Sequence, residues 1–284
     1  KERSMSYADQ VFKATCRDIL TNGTDTRGEI VRPHWEDGAS AYTIKKFGVV
    51  ERYDLRKEFP AITIRKTALK SAFDEILWIY QKKSNRIADL GSHIWDQWAD
   101  ENGTIGTCYG DVVRRKFLFK GEEVDQMDYV LKQLKETPYS RRIMTNLYQY
   151  EYLHSGGLDP CAYNMTYNVT RSEDGLVLNG ILNQRSQDML AASNWNVAQY
   201  SILLMALAQV NGMIPGEFIH VIADCHIYDR HVPIIEELLK RPEHPAPKVW
   251  LDPEVKDFYA FTPDHLHVEN YVTEPQIKGI PVAV

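Results

Sequence analysis

Residues 158–200, LDPCAYNMTYNVTRSEDGLVLNGILNQRSQDMLAASNWNVAQY, decide how the rest of the chain is read. From Cys161 to Val169 the side chains alternate in character. Cys161, Tyr163, Met165, Tyr167 and Val169 share one face, and Ala162, Asn164, Thr166, Asn168 and Thr170 share the other. A period of two is that of a half-buried strand. Glu173-Asp174-Gly175 predicts a turn, and Leu176–Ser186 the returning antiparallel strand. Asn194 is placed to cap a helix from Trp195 to Asn211, ended by Gly212. Cys161 and Arg185 then meet at the open end of one hairpin, a nucleophile beside a cation. A guanidinium there is expected to lower the thiol's pKa.

Outward from this unit, helical spacing over Tyr7–Leu20 predicts a first helix, and residues 1–6 read as a frayed polar end. Residues 22–40 form a polar loop carrying Arg27 and Arg32. Strand-like segments follow at residues 41–50 and 61–64, then an amphipathic helix over Leu69–Tyr80 that carries Glu75 on its apolar face. Residues 93–110 are aromatic and acidic and include Trp95, Trp98 and Tyr109. A helix is expected over residues 124–134, and a strand over 143–150 entered through the pair Arg141-Arg142. Residues 217–223 read as a strand leading into Asp224-Cys225-His226-Ile227-Tyr228, followed by a helix to Leu239 and short strands. Strands and helices mix without strict alternation. The expectation is a single α+β domain over residues 1–284, with a mixed, mostly antiparallel sheet covered by helices.

Composition narrows the function classes. A net charge of −6 supplies no global field for nucleic acid, so an anion site has to be local. No apolar run has the length of a membrane span, and no basic-apolar signal segment opens the chain. The cysteines, Cys16, Cys108, Cys161 and Cys225, are scattered without a Cys-x-x-Cys, which argues against disulfides and structural zinc and for a cytoplasmic protein. His226 and His231 do not share a helical face, so no metal is expected.

The central stretch resembles the thymidylate synthase family, whose pattern is Pro-Cys-His, then Gln-Arg-Ser-x-Asp, then Leu-Gly-x-Pro-Phe-Asn. The matches are Pro160-Cys161, Gln184-Arg185-Ser186 with Asp188, and Asn196. The departures are Ala162 for His, Ala191-Ala192 for Leu-Gly, Asn194-Trp195 for Pro-Phe, and Arg65 where the family often has Lys. The resemblance runs from about residue 8 to 284. It implies reductive methylation of dUMP to dTMP, with 5,10-methylenetetrahydrofolate as co-substrate and dihydrofolate released. Cys161 would add to carbon 6 of the uracil, and Asn196 would read the base. Arg32, Arg185, Ser186, Arg141 and Arg142 would hold the phosphate, and His226 and Tyr228 the sugar 3′-hydroxyl. The last two arginines would reach the partner's site in a homodimer packed sheet face to sheet face. Glu75 and Tyr109 would handle protons through water. Trp95, Trp98 and Asp188 would meet the folate, and Val284 would end a tail folded over it. Neither nucleic acid nor membrane is required.

Taken singly, the same residues carry plainer readings. Cys161 equally suits a buried structural thiol, Trp95 and Trp98 suit a core, and a lone arginine suits a solvated ion pair. Within the same fold, a nucleotide hydroxymethylase that quenches with water is one rival. A non-catalytic nucleotide- or RNA-binding relative is another.

Overall fold

The computed structural model describes residues 4–154 and 158–284, and strand pairing sets its plan. The chain opens with α1 (Tyr7–Asn22), β1 (Thr24–Asp25), β2 (Thr43–Asp54), α2 (Leu69–Tyr80) and the single turn α3 (Gly110–Val113). The small hairpin β3 (Phe117–Phe119) and β4 (Glu122–Val124) precedes α4 (Gln126–Glu136) and β5 (Ile143–Asn146). Then come β6 (Ala162–Ser172), β7 (Gly175–Asp188), α5 (Ser193–Val210) and β8 (Ile214–Tyr228). The chain closes with α6 (Val232–Lys240) and a second small hairpin, β9 (Lys248–Leu251) and β10 (Leu266–Glu269).

A six-stranded sheet runs β1-β2-β8-β7-β6-β5. Its pairs are antiparallel except β7 and β8, which α5 joins as a parallel crossover. The expected mixed, mostly antiparallel sheet is therefore present. Registered residues share a face, so rows can be followed across it. Glu51–His220–Leu182–Met165–Thr145 and Tyr53–Phe218–Gly180–Tyr167–Ile143 point inward and are buried. Arg52–Ile219–Ile181–Thr166–Met144 points the other way and stays at least partly exposed. Against the inner face lies α5, apolar almost all round (Val197, Ala198, Ile202, Leu203, Leu204, Leu207), with α2 packed on it. A helix without a polar face belongs inside a core, and this one does. Among the described residues no helix is long and apolar enough to cross a membrane.

Several expectations change. β8 extends to Tyr228, so Asp224–Tyr228 is part of the strand; it is held by β2 on one side (Thr43↔Tyr228) and β7 on the other (Asp188↔His226). The strand expected over residues 143–150 stops at Asn146, where a short helical turn begins near Tyr150. The expected frayed end does not extend to Ser6, which is fully buried, its amide donating to His244 O at 2.9 Å and its hydroxyl to Ala61 O at 2.7 Å.

The strand expected at residues 61–64 does not form. The segment is buried and bends at Thr63 and Ile64, and side chains satisfy much of its backbone. Asp9 accepts from the amides of Thr63 (2.7 Å) and Ile64 (3.3 Å), and Tyr271 donates to Ile62 O at 2.7 Å. Asn194 does not cap α5. It is buried and donates to Pro60 O (3.0 Å), while its Oδ1 accepts from Ile62 N (3.2 Å) and Thr67 Oγ1 (2.6 Å). Burying polar backbone requires such partners, and a ladder is only one way to supply them. Asn194→Ala orphans several groups at once and is expected to cost about 2–4 kcal/mol. Urea unfolding should show a clearly lower midpoint; an unchanged midpoint would remove Asn194 as a tether.

Candidate active site

Where the parallel pair β7–β8 ends, a cleft of about 570 Å³ opens. The β6–β7 hairpin contributes Cys161, Ala162, Gln184, Arg185, Ser186 and Asp188, and β8 contributes His226 and Tyr228. Trp195, Asn196, Gln199 and Tyr200 face it from α5, and Glu75 and Ile79 from α2. Ile94, Trp95, Trp98 and Tyr109 close one side, Arg32 and Ala283 another. A slightly larger hollow, about 630 Å³, lies between β9 and the end of α5, but no cysteine, arginine or histidine lines it.

Cys161 immediately precedes β6. The Arg185 amide donates to Cys161 O at 3.0 Å, closing the hairpin at the expected end. The Arg185 guanidinium is pinned by donation to Pro160 O (2.9 Å) and Asp159 O (2.9 Å), leaving Nη2 3.7 Å from Sγ. The electrostatic expectation is corrected here. Burial pushes the Cys161 thiol up, and Arg185 and Arg32 offset this only in part, so the net shift is upward.

Asn196 donates from Nδ2 to Gln184 Oε1 at 3.4 Å. His226 Nδ1 lies 3.0 Å from Asp224 Oδ1, and Lys45 pairs with the same carboxylate, so a fixed acid orients the imidazole. Tyr228 stands edge-on to Trp35, His226 and His231, with ring centroids 5.6, 5.1 and 5.5 Å away, and burial pushes its phenol up to about 12.

Glu75 is buried on the apolar face of α2, and burial raises its pKa. Gln199 Nε2 donates to one carboxyl oxygen (3.1 Å) and Trp95 Nε1 to the other (3.0 Å). Trp95 packs edge-on against Tyr109 at 5.5 Å. Tyr109 adopts φ 49°, a left-handed conformation costly for an aromatic residue. The following Gly110 packs against the backbone of Ser84, where a Cβ would stand 2.3 Å from Ser84 O. Such strain at a cleft wall is characteristic of functional positions.

Asp188 Oδ1 accepts from the amides of Leu190 (3.0 Å) and Ala191 (3.1 Å) and lies 3.6 Å from His231 Nδ1, an ion-pair distance. Burial pushes Asp188 up, but His231 and the Ala191 amide outweigh it and hold the carboxyl below its usual range. Arg65, buried beneath, donates to Leu190 O and so supports the same loop. Trp195 faces the cleft while Asn194 does not, which confines the effect of the Asn194-Trp195 pair on the cleft wall to the tryptophan.

The loop carrying Arg32 is bound to the C-terminus. His34 and Val284 exchange backbone hydrogen bonds of 2.8 and 2.9 Å, and His231 Nε2 lies 2.7 Å from Pro281 O. It is Ala283, however, that lines the cleft; Val284 does not. Arg141 and Arg142 are exposed and stand outside the cleft of their own chain. The other sequence-derived candidates converge. Sequence reasoning missed Gln199, Tyr200, Ile79, Ile94 and His231, and has Trp195 only as a departure from the family pattern and Ala283 only as part of the tail. Helical spacing could have found three of them: 195, 196, 199 and 200 form one stripe on α5, and 75 and 79 one on α2.

Among the described residues no three His, Cys, Asp or Glu side chains are grouped to hold a metal ion. A family profile described as thymidylate synthase matches residues 10–284. Thymidylate synthase 1 of Bacillus subtilis (strain 168) is 40% identical over 272 residues, covering 94% of this chain and 96% of that one. The thymidylate synthase of Clostridium beijerinckii is 38% identical over 279 residues, covering 96% and 98%. The solved structure of thermostable thymidylate synthase A from Bacillus subtilis superposes with a TM-score of 0.90 at 39% identity, covering 98% of this chain and 99% of its own. The chain belongs to the thymidylate synthase family.

Proposed function

We propose that this cleft methylates dUMP to dTMP with 5,10-methylenetetrahydrofolate, and that the residues named below carry the reaction within one catalytic unit spanning the chain. The observation that carries this reading is the meeting of Cys161, Arg185, Asn196 and Glu75 around one hollow. The folate supplies the one-carbon unit and the hydride. It suits the aromatic walls of Trp95, Trp98 and Trp195, where a flat ring system stacks, beside the Asp188 carboxylate, which accepts from ring N–H groups.

Cys161 Sγ adds to carbon 6 of the uracil as thiolate, with the Arg185 charge 3.7 Å away. Arg185, Ser186 and Arg32 bind the phosphate, and fork-shaped guanidinium groups suit its oxygens. His226 and Tyr228 bind the sugar 3′-hydroxyl. Asn196 keeps one acceptor and one donor for the uracil edge, the pattern that carbon 4 oxygen and the ring N–H require. A site built this way discriminates strongly against a base with the opposite pattern. Glu75, desolvated and held by Trp95 and Gln199, exchanges protons with substrate through water, with Tyr109 beside it. The tail, tied to His34, limits water at the cleft mouth, which favours hydride over water as the quenching agent.

The raised thiol makes a pH prediction. An acid whose pKa is pushed up ionises later, so thiolate at Cys161 is gained as pH rises past the ordinary thiol range of ~8.5. The other cysteines are buried, so iodoacetamide reaches Cys161 first. Alkylation should still be accelerating at the pH where a free thiol levels off, and Arg185→Met should slow it at fixed pH. A plateau below ~8.5 would contradict this assignment.

The chain acts as a homodimer in this reading. Val50 (55% exposed), Met144 (39%) and Ile181 (37%) leave apolar area on the outer sheet face, and a second copy would cover it. Arg141 and Arg142 at the edge strand β5 would then enter the partner's cleft. Chains bearing Cys161→Ser or Arg142→Glu are each expected to be nearly inactive alone. Exchanging subunits between them should restore dUMP-dependent dihydrofolate formation, because one site of the mixed dimer is intact. Verified mixed dimers without activity would place Arg142 outside the partner's site.

A further inference from the structure

We propose that Glu51 and His220, a buried pair behind the cleft wall, act as a positioning device that fixes the amide of Gln184 and, through it, the amide of Asn196. The inference rests on the reading of Asn196 as the residue that recognises the base. Glu51 and His220 face each other across β2 and β8 on the inner side of the sheet, and both are buried. His220 Nε2 lies 2.7 Å from Gln184 Oε1. Gln184 cannot turn over freely, because its Nε2 donates to Ser186 O at 2.9 Å and a reversed amide would set two oxygens against each other. An amide oxygen only accepts, so His220 Nε2 carries the proton. The same oxygen accepts from Asn196 Nδ2 at 3.4 Å, which turns Asn196 Oδ1 away from Gln184.

The other imidazole nitrogen completes the device. Among the described residues His220 Nδ1 has no hydrogen-bond partner, and it lies 3.8 Å from Glu51 Oε2. Glu51 is itself held by the hydroxyls of Thr15 (3.0 Å) and Tyr53 (3.0 Å). An ionised Glu51 would draw the proton to Nδ1 and strip it from Nε2, breaking the bond to Gln184. A protonated Glu51 keeps Nδ1 bare and Nε2 protonated. Independently, burial raises Glu51 and lowers His220 to about 3, so both groups favour the uncharged arrangement. Polarity is then fixed at Gln184: His220 Nε2–H and Asn196 N–H both point to its Oε1, while an uncharged Glu51 faces the bare Nδ1 across 3.8 Å. With the carbonyl of Gln184 so placed, Asn196 presents an acceptor and a donor to the base. With it reversed, Asn196 would present only donors and could not accept from the uracil ring N–H.

The test uses the whole chain of residues 1–284. Nitrogen-15 spectra of histidine-labelled enzyme should show His220 neutral with the proton on Nε2; an Nδ1–H tautomer or an imidazolium overturns the proposal. His220→Phe keeps a buried ring without the donor. It should lower kcat/KM for dUMP on the order of tenfold, mainly through KM, and narrow the preference for dUMP over dCMP by a similar factor. Glu51→Gln, which keeps an uncharged group of the same size facing Nδ1, should retain that preference. A folded His220→Phe with unchanged preference, or a Glu51→Gln that loses it, overturns the proposal. Asn196→Asp separates the two levels. If it leaves base preference intact, the base-reading role of Asn196 itself falls. If it shifts preference while His220→Phe does not, only the Glu51–His220 device falls.

Discussion

The hydrogen bond from the Arg185 amide to Cys161 O, 3.0 Å long, closes the β6–β7 hairpin just where the thiol emerges, and the cleft's chemistry follows from that closure. It fixes which guanidinium stands beside the sulfur. It also fixes register: Ala162 opposes Gln184, and the next residues of β7 set Ser186 and Asp188 against Asp224 and His226 of β8. A slip of one residue would turn each of these side chains to the opposite face. The parallel β7–β8 pair sends both strands toward the same end, so residues distant in sequence converge there. α5, the crossover between them, supplies Asn196 from its first turns.

Buried polar groups form the second layer of the structure. Asp9, Asn194 and Tyr271 satisfy a buried segment that forms no ladder, and Arg65 and His231 support the loop after β7 from beneath. Glu75, Gln184 and His220 belong to the same style of construction. Each is enclosed, and all but one of their functional atoms meets a partner. Low dielectric makes such networks rigid when satisfied and costly when broken. That rigidity holds the cleft residues in place.

Much of this was legible in the chain itself. The Glu173-Asp174 turn, the spacing over Leu69–Tyr80 and the alternation from Asn164 to Val169 are local signals, and each element formed close to its expected bounds. A register shift between Ala162 and Asn164 breaks the alternation expected from Cys161 and leaves Ala162, expected on the polar face, buried opposite Gln184. The buried Glu75 was also readable, because a carboxyl on an apolar stripe has to find partners. Three things were not. Residues 61–64 have the composition of a strand, and only the distant Asp9, Asn194 and Tyr271 show why they are not paired as one. Asn194 is a capping residue by type, but the tertiary contacts claimed its side chain. The Cys161 shift depends on how far burial outweighs Arg185, a balance set by packing rather than by neighbours in sequence. The cleft stripe on α5 was hidden for a related reason: apolar residues surround the polar ones, so the helix reads as core.

The departures from the family pattern bear on one question. Ala162 and Trp195 line the cleft, and Asn194 tethers the segment behind it, while Cys161, Arg185, Ser186, Asp188 and Asn196 keep the family pattern. The most direct measurement is the product formed from dUMP and 5,10-methylenetetrahydrofolate, identified by mass and coupled to absorbance of dihydrofolate. The account predicts dTMP and dihydrofolate in equal amounts. Hydroxymethyl-dUMP without dihydrofolate, or no turnover by folded protein, would contradict it.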